Sequence, residues 1–153
     1  MDTKNLKISI LACLLSLFTI VSCNKDDDSP NNNTQSEIQT NVQSGTWRIT
    51  KFIDSGTDET NHFTGYNFTF NSTGVLNANN GTNNYDGTWS ITDSNSNDDS
   101  QDDLDFNINF NLTNDFEDLN DDWDFISQSS TKIELIDVSG GNGGTDYLTF
   151  AYH

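Results

Sequence analysis

Few side chains in this sequence are equipped for chemistry. The thiols are Cys13 and Cys23, the imidazoles are His62 and His153, and 24 acidic residues face only 6 lysines and arginines in 153 residues. No Gly-x-Ser-x-Gly elbow is present to expose a nucleophilic serine. The acids are too many for a two-carboxylate pair to stand out from the field, and most fall in loops or on outward strand positions. The densest run, Asp93 to Asp103, invites a calcium reading. Asp93, Asn95 and Asn97 fit the first three ligand positions of an EF-hand loop, but Asp98 stands where glycine is needed and Leu104 where a bidentate glutamate belongs. A solvated loop is the expectation. The chain is therefore read as non-catalytic, with no cofactor and no metal site expected, and with His62 as a solvated loop histidine.

The N-terminal region supplies the more specific chemistry. Lys4 and Lys7 precede an apolar run from Ile8 to Val21 that ends in Ser22-Cys23. The run is shorter than the roughly 20 apolar residues a bilayer-spanning helix needs and is interrupted by Ser9, Ser16 and Thr19, so residues 1–22 read as a signal peptide. The sequence Ile20-Val21-Ser22-Cys23 resembles the lipobox of bacterial lipoproteins. The resemblance implies cleavage before Cys23 and a lipid, with palmitate among its acyl chains, attached to its thiol. Lys25-Asp26-Asp27-Asp28 resembles the export signal of Bacteroidetes surface lipoproteins, which implies an outer-membrane protein facing the cell exterior. Cys13 would be lost with the leader, leaving one mature cysteine, no intramolecular disulfide and no clustered-cysteine metal site.

Removing residues 1–22 takes away Asp2, Lys4 and Lys7, so the formal charge moves from −18 to −19. Such a chain repels nucleic acid and anionic lipid head groups, and membrane attachment falls to the acyl anchor alone. Residues 23–44 are rich in Asp, Asn, Ser, Thr and Gln, with one proline at Pro30. They read as an acidic disordered tether, holding the following domain about 25 Å from the membrane as a flexible coil.

From Gly45 the apolar residues recur at every second position, the mark of strands with one buried face. Leu104, Phe106, Ile108, Phe110 and Leu112 alternate with polar residues, as do Tyr66, Phe68 and Phe70, and Tyr85, Gly87, Trp89 and Ile91. Trp123 with Phe125, Ile133 with Leu135, and Leu148, Phe150 and Tyr152 complete the inward set. Polar breakers between these runs give about eight strands at hairpin spacing. No stretch shows sustained helical periodicity, although Asn114 to Asn120 could form one turn with Phe116 and Leu119 closing an end of the sheet. The expected fold over residues 45–153 is all-β, an antiparallel up-and-down meander closed into a barrel, with a β-sandwich as the alternative.

Gly45-Thr46-Trp47 and Thr145-Asp146-Tyr147 resemble the G-x-W and T-D-Y motifs of lipocalins, although the second stands just before the last strand and no later arginine supplies the third motif. With Tyr66 to Phe70, the second G-x-W at Gly87 to Trp89, Trp123 and the closing Tyr147 to Phe150, the segment resembles the lipocalin-like domains of Bacteroidetes lipoproteins. The resemblance implies a barrel more than a defined ligand. Trp47, Tyr66, Phe68, Trp89, Phe106, Phe110 and Trp123 are the residues expected to line or close its interior. Two functions follow as expectations. One is binding of a small hydrophobic ligand or a partner. The other is adhesion or envelope assembly through the polar outer face, with a glycan or surface protein as partner.

Overall fold

The computed structural model describes residues 30–93, 104–138 and 144–153. Cys23, Lys25, Asp26, Asp27 and Asp28 lie outside them, as does the acidic loop after Asp93. Helix α1 (Pro30–Gln43) comes first, followed by β1 (Trp47–Asp54), β2 (Thr57–Asp58), β3 (Asn67–Phe70), β4 (Val75–Asn79), β5 (Asn84–Asp93), β6 (Leu104–Asn109), β7 (Asp121–Gln128), β8 (Lys132–Val138) and β9 (Thr145–Tyr152).

All neighbouring strands pair antiparallel. From β3 to β9 the sheet order follows the sequence, and β1 closes the circle by pairing with β9 from Trp47↔Tyr152 to Ile53↔Tyr147. Eight strands thus form a closed barrel, as the alternation predicted. The ninth, β2, joins β1 through a two-residue turn at Ser55 and Gly56, both with positive φ, which is the geometry that matches strand twist in a tight hairpin. The seam between β1 and β3 is a single bridge, Trp47↔Phe68. Side chains supplement it, since Arg48 Nε donates to Asn67 Oδ1 at 3.1 Å.

The buried residues are those the period of two selects. Phe68, Leu76, Ala78, Trp89, Ile91, Phe106, Ile108, Ile133, Leu135, Leu148 and Phe150 all face inward. Gly87 shows why its strand lacks a side chain there. A Cβ would sit 2.6 Å from the Asn109 carbonyl oxygen and 2.8 Å from the Phe110 ring, so β5 and β6 approach only without one.

Four expectations are corrected. Residues 30–43 are helical where a disordered tether was expected, and Ile38 and Val42 are fully buried in the same core as the barrel. They stand four apart, one turn, so a single narrow stripe docks an otherwise polar helix; burial supplies the stability that propensity does not. β6 ends at Asn109 and does not reach Leu112. The Asn120 side chain takes over the ladder there, accepting from the Phe110 N–H and donating to its carbonyl. Tyr152, expected inward, is half exposed at the barrel end. Thr145-Asp146-Tyr147 opens β9 and does not precede it, with Asp146 accepting from the Ser55 N–H at 2.6 Å. Among the described residues no helix is long and apolar enough to cross a membrane.

Candidate functional site

The seven residues expected to line the interior are all buried. Within the barrel, rings from non-adjacent strands are in contact. Phe70 on β3 lies 5.5 Å, centroid to centroid, from Phe106 on β6 and from Phe150 on β9. Phe52 on β1 reaches Trp123 on β7 at 6.4 Å. Edge-to-face contacts at these distances are attractive beyond the area they bury.

Both ends are stoppered. At the end where β1 starts and β9 finishes, α1 lies across the opening with Ile38 and Val42 in the core, Gln35 Nε2 donating to the Ile91 carbonyl at 2.9 Å and Asn41 to Gln128 at 3.1 Å. At the opposite end two 3-10 turns, Thr60–Phe63 and Glu117–Leu119, push Phe63, Phe116 and Leu119 inward. Phe116 touches the rings of Phe63, Tyr66, Phe68, Tyr85 and Phe110. Each tryptophan ties its ring to a closing segment. The Trp47 indole N–H donates to Val42 of α1 at 2.8 Å, Trp89 to Asn71 of the β3–β4 turn at 3.0 Å, and Trp123 to Leu119 at 3.1 Å. The aromatic motifs therefore encode seals and core.

Polar chemistry gathers at the 3-10 end. Among the described residues Asp54, Glu59 and Asp118 bring carboxylate oxygens within 4.8 Å of one another, and His62 Nδ1 lies 3.8 Å from Glu59 and 3.9 Å from Asp115. Burial, then the charges of Asp54, Asp115 and Glu117, hold the Asp118 carboxyl above its usual range. Asp121 is pushed up to about 6, chiefly by burial, with Asp137 and Asp122 adding repulsion. The triad could offer oxygen ligands to a hard cation; Asp54 and Glu59 are half-buried and Asp118 is exposed. Sequence reading missed the triad because its members come from three separate loops or strand ends, with no spacing to betray them.

The surface clefts lie outside the barrel. An open one of about 470 Å³ runs along the seam, between Gln43–Thr46 and Thr69–Ser72. A second is formed between β5 and β6 by Thr88, Ser90, Asn107 and Asn109 beside Trp89 and Ile108. Seam, clefts and wall side chains are what the fold offers a partner.

These features define the class: a small closed antiparallel barrel with ring contacts through its interior, 3-10 turns across one end and a helix across the other. No family model matches the chain, and no curated protein matches it. Among solved structures it is similar to a DUF4847 family protein from Bacteroides vulgatus, with 20% identity over 73% of this chain and 94% of that one, and a TM-score of 0.47.

Proposed function

We propose that the chain is a lipoprotein of the outer membrane, anchored through lipid on Cys23, facing the cell exterior and binding a partner non-catalytically through the outside of its barrel. The anchoring half of this reading is supported by the apolar run ending at Cys23 and by Lys25-Asp26-Asp27-Asp28 after it. The binding half is carried by one observation, the contact of rings from non-adjacent strands within the barrel interior. A small hydrophobic ligand would have to displace such rings, whereas a glycan or surface protein meets the Asn, Thr and Asp side chains of the outer wall as they stand. Asn77, for example, already bridges to Asn84 and Asp86.

Two measurements test the two halves. Full-length protein expressed in a bacterial cell should label with palmitate and be shaved by external protease, and Cys23→Ala should abolish the label and release or strand the chain. A Cys23→Ala variant that still labels and fractionates with outer membrane would sink the anchoring. For the binding half, purified mature protein should release no stoichiometric lipid on extraction while intact-cell pull-down recovers a partner. A stoichiometric lipid would return the interior to use.

A further inference from the structure

The outer wall formed by β8, β9 and β1 differs from the rest of the surface. Register places Ile53 beside Tyr147 and Tyr147 beside Ile136, one apolar row across three strands, all on the side opposite the buried Phe52, Leu148 and Leu135. The next rows read Lys51, Thr149, Glu134 and then Arg48, Ala151, Lys132. The Lys51 ammonium lies 4.4 Å from the Tyr147 ring centroid. At the end of β8, Val138 is 62% exposed. Every lysine and arginine among the described residues, Arg48, Lys51 and Lys132, stands on this wall of a chain with a net charge of −18.

The wall formed by β6 and β7 is its electrostatic complement. Asp105 is paired directly with Asp124, and Asn107 with Asp122, with no lysine or arginine on either strand. Like charges directly opposite weaken a sheet. Asp105 registers the strain: burial first, then Asp122, Asp124 and Asp93, hold its carboxyl above the usual range.

We propose that the β8–β9–β1 wall of one copy docks on the β6–β7 wall of the next, so that the protein self-associates head to tail. The contact places cations on opposed aspartates and takes an apolar row out of water. Using two different patches, the contact is heterologous and continues from copy to copy, into a ring where the rotation closes and into open rows where it does not. Three strands over some seven residues offer only a few hundred Å² per copy, below what a stable interface in dilute solution buries. Confinement on a membrane supplies the effective concentration that this area lacks. In this the inference rests on the anchored, outer-face reading above.

The test uses full-length protein in intact cells with Thr149→Cys on one wall and Asn107→Cys on the other. Mild oxidation or a short bis-maleimide should give a ladder of covalent multimers from the double variant and none from either single variant. Adding Lys51→Glu and Lys132→Glu should reduce the ladder roughly tenfold or more. Co-expression with a chain carrying Asp122→Lys and Asp124→Lys should restore it, which also shows that both charge-reversed chains fold. No ladder, a ladder from one cysteine alone, or a ladder indifferent to charge reversal would each overturn self-association. If the ladder is absent but Lys51→Glu with Lys132→Glu depletes another partner, such as an acidic glycan, from the pull-down, self-association falls and the outer-face reading stands. If purified protein releases a stoichiometric non-covalent lipid on extraction, the outer-face reading falls by a separate measurement.

Discussion

The two ends of the barrel are closed by opposite means. At one end the sheet's own connections fold back as 3-10 turns and insert aromatic rings, Phe116 alone meeting five others. At the other end a polar helix from outside the strand pattern lies across the opening and is held by Ile38, Val42, two side-chain amides and the Trp47 indole. The first seal belongs to the cooperative core, while the second is a local unit resting on it. Stability should therefore be unevenly distributed between the ends.

The comparison breaks first at Phe116. Phe116→Ala removes the hub of five ring contacts and should cost about 3–5 kcal/mol, lowering the urea midpoint of the whole domain. A loss under about 1 kcal/mol would mean that the aromatic seal is not part of the core. Ile38→Ala should cost about 2 kcal/mol, the low end for a buried isoleucine, because the helix can detach without taking the sheet with it. Amide exchange should accelerate in residues 35–43 and remain unchanged in β6 and β7. Equal acceleration everywhere would show that the ends are one unit.

Smaller changes sharpen the contrast. Trp47→Phe and Trp123→Phe each remove one indole donor to a stopper and should each cost about 1–2 kcal/mol. The first should loosen only α1 by hydrogen exchange, the second the segment around Leu119 together with the barrel. Smallest is a pH effect at the 3-10 end. Asp121 has a folded pKa of about 6, above its unfolded value of 3.8, so the folded state binds its proton more tightly. Its contribution favours folding below the unfolded value and is lost as pH rises to about 6, on the order of 1 kcal/mol after solvent screening. Asp58, through its hydrogen bond from Thr60, and Glu134, through that from Ser127, are lowered and act in the opposite sense. The diagnostic is therefore the difference from Asp121→Asn. The wild-type Tm should gain on the variant's between pH 7 and pH 4, and parallel curves would remove Asp121 from the account.

The same contrast marks what the sequence makes legible. Strand positions announce themselves by a period of two, so the closed barrel and its inward residues could be read from Tyr66, Phe68, Phe70, Leu104, Phe106 and their like, and the turn at the barrel end from Phe116 and Leu119, three apart. Helix α1 could not. Two apolar residues in fourteen give no periodicity to detect, and only the barrel end tells them apart from a solvated linker. Strand β2 hid for a related reason, since two residues are too few for an alternation. Of the candidate interior residues all seven are buried, yet nothing in their spacing distinguishes a lined pocket from a filled one. That depends on which rings meet across the barrel, a property of closure and not of any one strand.

Closure also sets an order of events. β1 and β9 pair over almost their whole lengths, Ile49 with Phe150 among them, while β1 has only one bridge to β3. Bringing together segments about a hundred residues apart costs on the order of 4 kcal/mol in chain entropy, and hairpins from β3 to β9 form with far shorter loops. The first strand made must therefore wait for the last. Until β9 docks, β1 lacks its main partner and Trp47, Ile49 and Phe52 are uncovered, so during folding this chain is most exposed to aggregation and proteolysis at its opening strand. A quality-control protease that surveys incomplete barrels would find its target there, and would lose it when β9 docks.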